Sequence, residues 1–212
     1  SSNRAKPRTT KSCGAFSLQT LNFPVKRWKS TTMESSKPQE YLRLVATGIP
    51  VPSTEEYSTD QCFDEGFAGR DPDIDILMTN QIPATEGGTV ICHQLTQSGH
   101  TFMEMAHKLL SLKTPKSEEA ITKSLFEQGK TFSPKQVEDL HKRFVAGETQ
   151  IGLNTNGCSN FFFVHDKGGR VFILDTDLDL VGWNVDIRSL GPEIRRRRKC
   201  RLFSREPKKD AQ

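Results

Sequence analysis

Histidine and glutamate residues recur in this sequence at spacings that could build a metal site. His93, His100 and His107 are spaced seven positions apart, so a continuous helix would place all three on one side. Within that stretch, Glu104 lies three residues before His107, which aligns possible ligands on adjacent helical turns. The Ser98-Gly99 pair, however, predicts a break in the helix between His93 and His100. That break argues against a single set of three histidine ligands.

A second Glu-x-x-His pair, Glu138 and His141, stands further along the chain. Two such pairs on facing helices are half of a di-iron site in a helical bundle. The other half is an inward glutamate from each of two further helices, and the sequence predicts only one further helix. Whether Glu104 with His107, or Glu138 with His141, binds a metal is therefore left open, and no cofactor is predicted.

Alternating aspartates follow a strongly apolar segment, at Asp175, Asp177 and Asp179. In outline this resembles the nucleophile motif of phosphatases that form an aspartyl-phosphate. Asp179 stands where that motif has Thr or Val, so no phosphatase activity is predicted. A calcium loop would need Gly at Leu180, and the run Asp71–Asp75 lacks the same Gly. Both runs are interpreted as a polar strand end and a solvated acidic loop, with divalent-ion binding as a remaining alternative.

Other catalytic patterns are incomplete. Gly129–Thr131 has the end of a phosphate-binding loop, but Ser124 occupies the place of the first glycine and no predicted strand precedes it. Cys158 and His165 are close in sequence, but nothing around Cys158 indicates an activated thiol. The sequence therefore predicts a protein that is not an enzyme and that has no small-molecule substrate.

The main functional signal is a run of cations near the C-terminus. Five consecutive cations repel one another unless solvent or anions surround them, and five phosphates would release about 4–5 counterions on binding. A second basic segment, near the N-terminus, mixes an aromatic ring with cations, and such mixtures stack on bases while they pair with phosphates. An equal alternative is that Phe23 and Trp28 of this segment pack into a partner protein. Other uses of such a run are nuclear localisation and binding to acidic lipid. The two segments predict an RNA interface made of Lys26, Arg27, Trp28, Lys29, Arg195, Arg196, Arg197, Arg198, Lys199 and Arg201.

Charge divides the chain into three blocks. Residues 1–44 carry nine Lys/Arg and two Glu, residues 45–186 carry eleven Lys/Arg and twenty-one Asp/Glu, and residues 187–212 carry ten Lys/Arg and three acids. Basic arms on an acidic body are typical of proteins whose arms bind polyanions. The predicted organisation is a basic N-terminal arm at 1–40, an acidic α+β domain at 41–186, and a basic C-terminal tail at 187–212. The role of the acidic segment 60–75 is left open.

Three helices are predicted in the middle of the chain. The first covers about Gly99–Leu112 and the second about Pro115–Gln128, each with an apolar face at helical spacing. The third has the clearest start, with Ser133 as N-cap, Pro134 in the first helical position and Gln136 closing a capping box.

Strands are predicted on both sides of these helices. Phe161–Val164 and Arg170–Leu174 flank the turn His165–Gly169, which is the pattern of a β-hairpin. Further strands are predicted at Tyr41–Ala46, Ile74–Met78 and Leu178–Trp183.

The predicted fold class is α+β, with a three-helix unit followed by an antiparallel β-hairpin and long basic extensions at both ends. This order of elements also fits a winged helix, in which Ser117–Gln128 and Ser133–Ala146 form the helix-turn-helix and His165–Gly169 is the tip of the wing. The acidic charge of the domain argues against DNA binding by its third helix.

Composition indicates the compartment. The five cysteines are an odd number with no CxxC pair, and no N-x-[ST] site occurs, which favours a reducing compartment. The first thirty-three residues contain seven Lys/Arg and no acid, which is typical of a segment for organellar import. We predict a location in the mitochondrial matrix. No run approaches the roughly 18–20 apolar residues of a membrane helix, so no integral membrane segment is predicted.

These observations predict a structural, RNA-contacting subunit of a large ribonucleoprotein, with a mitochondrial ribosome as the specific assembly. Its partners would be rRNA and neighbouring ribosomal proteins. One alternative is an accessory subunit of an organellar respiratory or ATP-synthase-type membrane complex, whose arms bind acidic proteins or cardiolipin. A second alternative is a winged-helix regulator that binds nucleic acid.

Overall fold

The computed structural model describes residues 40–191 and 198–207. Within them the chain forms strands β1 Leu42–Val51, β2 Tyr57–Ser58, β3 Phe67–Arg70, β4 Gln81–Ile82, β5 Gly88–Leu95, β6 Asn160–His165, β7 Val171–Leu178, β8 Trp183–Arg188 and β9 Arg201–Pro207. The α-helices are α1 Asp73–Leu77, α2 Phe102–Leu109, α3 Glu118–Glu127 and α4 Pro134–Val145. Short 3-10 helices lie at Thr59–Gln61 and Thr149–Ile151.

Seven strands form one sheet, in the order β1-β5-β9-β6-β7-β8-β3, and β2 pairs with β4 in a small second sheet. Most neighbours in the large sheet are antiparallel, while β9 with β6 and β8 with β3 are parallel. The centre of the sheet is the most apolar part. All six residues of β6 are buried, which is the pattern of a strand covered on both faces.

Helices cover the two faces of the sheet. On one face, Phe162 and Phe203 stack with ring centroids 4.4 Å apart in a core that includes α1 and α4. On the other face, Phe161 and Phe163 belong to a core with α2 and α3. Successive residues of a strand point to opposite faces, so the Phe-rich sequence of β6 supplies both cores at once.

The helix starts follow from local capping. Ser133 accepts a hydrogen bond from Gln136 N, the Gln136 side chain accepts from Ser133 N, and Pro134 holds the first helical position. Thr101 and Glu104 form an equivalent capping box at α2. The three predicted helices and the β6–β7 hairpin are therefore confirmed, with ends that differ by a few residues from the prediction.

The predicted fold class is nevertheless wrong. The fold is a mixed α+β structure dominated by a seven-stranded sheet, rather than a three-helix unit followed by a hairpin. The strands that were missed pair across long stretches of sequence, as β1 does with β5 and β5 with β9, and local patterns do not reveal such pairing. Two strand predictions also fail: Ile74–Met78 contains most of helix α1, and Leu178–Trp183 is mainly the turn before β8.

The winged-helix form is excluded by the same sheet. The β6–β7 hairpin is flanked on both sides by other strands, so it is not a wing. Helix α4, which would have met nucleic acid, buries one side, and the cations on its outer side are engaged by the protein. Lys142 pairs with Glu138, Arg143 pairs with Glu148, and Lys135 lies over the ring of Tyr57. The winged-helix form of the predicted fold is therefore wrong.

The strand β9 begins directly after the basic run and lies between β5 and β6. The charge pattern of the sequence places these residues in the basic C-terminal tail. Leu202 and Phe203 are fully buried, one in each core. Among the described residues, no helix is long and apolar enough to cross a membrane.

Candidate functional site

The predicted RNA-contact residues divide into two sets. Residues 26–29 and 195–197 lie outside the described residues, and they stay predictions. The remaining three are placed: Arg198 and Lys199 form a turn, and Arg201 opens β9. We call Arg198 and Lys199 the basic turn.

Hydrogen bonds from the body of the fold fix the backbone of the basic turn. Arg198 N donates to Ser98 Oγ at 2.9 Å, and Lys199 N donates to Leu95 O at 2.8 Å. Asn154 Nδ2 donates to Lys199 O at 2.8 Å from the other side. Lys199 itself has φ 75°, in the left-handed region, which lets the chain turn sharply into β9. The two exposed side chains are therefore presented from a well-anchored backbone.

The basic turn has no acidic partner in the part of the chain that the structure describes. Within residues 40–191 and 198–207, no carboxylate lies within 4.0 Å of Arg198, Lys199 or Arg201. On α4, by contrast, Lys142 and Arg143 are paired with carboxylates at 3.1 and 2.7 Å. Among the described residues, therefore, no carboxylate neutralises the positive charge of the turn.

Arg201 is less available than the two residues before it. Its Nε donates to Asn154 Oδ1 at 3.2 Å, and its Nη1 is buried without a hydrogen-bond partner among the described residues. It also lies near Cys92, where burial raises the pKa of the thiol to about 12 and the Arg201 charge opposes that rise. Only part of this guanidinium can meet a ligand.

The sheet adds a cation that sequence patterns did not reveal. Arg43 in β1 pairs in register with Gln94 in β5, and Gln94 pairs with Arg201 in β9. Arg43 is exposed, and within the described part of the chain no carboxylate lies within 4.0 Å of it. The register of three strands therefore places Arg43 and Arg201 in one row, near the basic turn at the start of β9. Only knowledge of the strand pairing could have found it.

This end of the sheet carries four cations, of which Arg43, Arg198 and Lys199 are exposed and Arg201 is partly buried, and none has a carboxylate partner among the described residues. No protein-family model, curated protein or solved structure gives a significant match to this chain. The chemistry must therefore be argued from the residues themselves. Guanidinium and ammonium groups of this kind bind phosphates and carboxylates by charge and hydrogen bonding.

The histidines near α2 do not assemble. His93 lies in β5, whereas His100 precedes the helix, so the seven-residue spacing does not place them on one helix. His100 stacks on Tyr41 with ring centroids 3.7 Å apart. Glu104 is used in the capping box, and His107 Nε2 is 2.8 Å from Thr114 O. His100, Glu104 and His107 therefore have local structural contacts, while His93 Nδ1 is buried without a hydrogen-bond partner among the described residues.

Glu138 and His141 are also engaged by the fold. Glu138 accepts a hydrogen bond from Phe63 N at 3.2 Å and pairs with Lys142. His141 Nδ1 lies 2.9 Å from Val137 O, which only accepts, so this nitrogen carries the proton. Burial lowers the pKa of His141 to about 4, and the ring is neutral at pH 7. Across the described residues, no three His, Cys, Asp or Glu side chains lie together as metal ligands.

The aspartates after β7 act within the sheet. Asp175 pairs with Arg188 at 3.3 Å, and Asp179 Oδ1 accepts hydrogen bonds from the backbone N–H groups of Val181 and Gly182 in the turn before β8. Asp177 lies between them, and burial raises its pKa. These carboxylates do not converge on one point.

Cys158 and His165 are not a catalytic pair. Both ring nitrogens of His165 are hydrogen-bonded to threonine hydroxyls, Nδ1 to Thr131 at 2.9 Å and Nε2 to Thr85 at 3.2 Å. Cys158 instead packs against the core beneath α2 and α3.

The incomplete phosphate loop at Gly129–Thr131 follows helix α3 rather than a strand. Its lysine, Lys130, pairs with Glu206 at 3.6 Å. The segment is therefore not a phosphate-binding loop of the strand-to-helix type.

Proposed function

We propose that this protein is a structural, RNA-contacting subunit of a large ribonucleoprotein, and specifically of a mitochondrial ribosome. The supporting observation is the basic turn, in which Arg198 and Lys199 are exposed, anchored through the backbone and without a carboxylate partner among the described residues. Had these side chains rested on the protein's own acidic body, their charge would need no external anion. Its partners would be rRNA and neighbouring ribosomal proteins.

The overall charge of the body makes the position of these cations important. The described residues contain 17 Lys/Arg and 23 Asp/Glu, a net charge of −6. Such a body repels a phosphate backbone unless contact occurs through a local basic surface. The basic turn and the row with Arg43 and Arg201 are such a surface, and the predicted contacts at residues 195–197 precede the turn directly in the chain. The proposed mode of action is phosphate neutralisation and clamping, without turnover.

The proposal is tested by measuring RNA affinity with paired charge variants. Full-length protein is titrated into a fluorescently labelled RNA hairpin at about 0.15 M salt, and anisotropy is recorded. The variant R198E/K199E reverses the two exposed cations of the turn. The control K113E/K116E makes the same change in net charge at two exposed lysines on the loop after α2.

We expect R198E/K199E to bind the RNA at least about tenfold more weakly, because each lost phosphate contact also removes counterion release. The control should change affinity by less than about twofold, since only the general charge differs. Equal weakening by both variants would mean that the turn is not an RNA contact, and the proposal would be abandoned.

The same proteins separate RNA binding from lipid binding. Flotation with phosphatidylcholine vesicles, with and without cardiolipin, measures attachment to an acidic membrane. We expect little flotation. Binding to cardiolipin vesicles that depends on Arg198 and Lys199, together with no RNA binding, would support the accessory subunit of a membrane complex instead.

A further inference from the structure

A cleft of about 970 Å³ opens beside the last residues of β9. Its walls come from the loop after α3, the turn between β6 and β7, and the segment before β5. Sites for small molecules typically have volumes of about 300–1,000 Å³. The cleft lies at the opposite end of β9 from the basic turn, roughly 20 Å away at about 3.3 Å per residue. An inference about it does not rest on the proposed function.

Arg205 reaches this cleft from a buried position in β9, with only 6% of its surface exposed. Its Nε donates to Gly129 O at 3.1 Å, and its Nη1 donates to Glu86 O. Its Nη2 makes no hydrogen bond within the described residues, and no carboxylate among them lies within 4.0 Å of the guanidinium. The buried guanidinium of Arg205 is thus hydrogen-bonded to two neutral backbone oxygens, while its Nη2 has no hydrogen-bond partner among the described residues.

This arrangement is costly without an anion. A buried charge normally has an oppositely charged partner, because neutral acceptors replace only part of the lost hydration. A purely structural role would account for Nε and Nη1, which tie together the loops of Gly129 and Glu86. The remaining nitrogen, Nη2, is left open to solvent or to a ligand in the cleft.

The neighbouring His165 does not supply a competing charge. Thr85 Oγ1 donates to Pro83 O at 3.1 Å, so it must accept from His165 Nε2–H, while Thr131 donates to Nδ1. The ring is therefore a neutral tautomer with both nitrogens occupied. Burial and the charge of Arg205 lower its pKa to about 4. Arg205 is the cation of the cleft floor.

Acidic side chains at the rim are mostly neutralised by lysines. Glu206 pairs with Lys130 at 3.6 Å, and Glu127 pairs with Lys123 at 3.8 Å. Glu86 is exposed, has no ion pair among the described residues, and turns its backbone oxygen to Arg205. Burial lowers the pKa of Arg205, and the negative charge of the Glu86 carboxylate opposes that change. Lys167 in the lining likewise pairs with Glu56 at 3.1 Å, so Arg205 and Glu86 are the lining charges that have no ion pair among the described residues.

An aromatic wall adds a second element of recognition. Phe126 at the end of α3 packs edge-on to His165, with ring centroids 5.1 Å apart, and 38% of its surface is exposed. Together with Pro83 and Pro207 it gives the cleft an apolar side next to the cationic floor. A planar ring can stack on such a wall.

We propose that this cleft binds a small molecule that carries both an oxyanion, phosphate or carboxylate, and a planar ring. The oxyanion accepts hydrogen bonds from Arg205 Nη2, and the ring lies against Phe126. A nucleoside 5′-monophosphate has this combination of groups. The prediction from sequence that the chain has no small-molecule substrate concerns turnover, and binding of a ligand in this cleft would not contradict it.

Isothermal titration calorimetry on the full-length protein tests the proposal with four probes. AMP carries phosphate and a ring, nicotinate carries carboxylate and a ring, adenosine lacks the anion, and inorganic phosphate lacks the ring. We expect AMP, nicotinate or both to bind with Kd below about 1 mM, and adenosine and phosphate to bind at least about tenfold more weakly. Binding of AMP alone identifies phosphate as the anion, and binding of nicotinate alone identifies carboxylate.

Variants then locate the site. R205Q should weaken binding of the preferred probe at least about tenfold, and F126L by about threefold or more. The matched control R198Q, at the other end of β9, should leave probe binding unchanged. If R205Q fails to fold, F126L still tests the site because its side chain is partly exposed. Absence of binding by the wild type, or equal affinities in F126L and wild type, overturns the proposal.

Discussion

At the scale of single residues, the most constrained side chains are histidines that serve structure. His141 donates to Val137 O and accepts from Thr176 Oγ1 at 2.9 Å, and His165 is fixed by Thr85 and Thr131. Sequence patterns indicated His141 as a possible metal ligand, because spacing alone does not show which atoms a ring contacts. The burial and the hydrogen bonds of His141 show that its role is structural.

These two histidines predict how stability depends on pH. The pKa of each is lowered to about 4 in the fold, against 6.5 in an unfolded chain. The contribution of these histidines to the free energy of unfolding is therefore fully present above about pH 6.5. It is lost as the pH falls toward 4, because the unfolded chain takes up protons that the native state does not. Between pH 7 and 5, each histidine should reduce the free energy of unfolding by roughly 2 kcal/mol. Urea unfolding at both pH values measures the loss.

A variant shows whether the buried ring causes this loss. H141Q should reduce the difference in unfolding free energy between pH 7 and pH 5, even if the variant is less stable at pH 7. The surface variant H107Q should keep the full difference. If H141Q and H107Q behave alike, the buried histidine is not the source.

The acidic segment 60–75, whose role the sequence left open, has a structural explanation at Asp75. Arg70 pairs with Asp75 at 2.6 and 2.9 Å and also donates to the carbonyls of Cys62 and Thr59. D75A should lower the free energy of unfolding by about 1–3 kcal/mol, because it releases an arginine that fixes two loop carbonyls. The neighbouring exposed Asp73 provides the control, and D73A should cost less than about 0.5 kcal/mol. Equal effects in urea titrations would refute this role.

At the scale of elements, the sequence predicted the helices whose first residue is specified by neighbouring residues in the chain. Ser133, Pro134 and Gln136 specify the beginning of α4 within four residues, and the structure has all three in the expected roles. The segment Arg201–Pro207 has no such local signal. It contains two arginines and a glutamate, and it becomes a central strand only because β5 and β6 lie on either side.

The central position of β9 leads to a stability prediction. Phe203 is fully buried and stacks on Phe162 in the core beneath α4. F203A should lower the free energy of unfolding by about 3–5 kcal/mol through lost burial and cavity formation. L44A, at a residue of edge strand β1 that is 55% exposed, should have little effect. A cost for F203A below that of L44A in urea titrations would rule out the strand's central place.

At the scale of the whole molecule, the described residues form an acidic body. The two described cations of the basic run, Arg198 and Lys199, lie at one end of its sheet and have no carboxylate partner among the described residues. The sequence indicated the run, whereas the structure adds its anchoring by Ser98, Leu95 and Asn154 and its neighbour Arg43. Charge patterns are visible in sequence because they need no long-range pairing. Which cations stay unpaired depends on the fold, and only coordinates reveal it.

The central claim is that the protein belongs to a ribonucleoprotein, and its sedimentation tests this most directly. Tagged full-length protein in a mitochondrial extract is run on a sucrose gradient, with and without prior RNase treatment. We expect the protein to sediment with a large particle and to move to the top of the gradient after RNase. A protein that stays at the top without RNase, or that remains in a large particle after RNase, does not belong to a ribonucleoprotein.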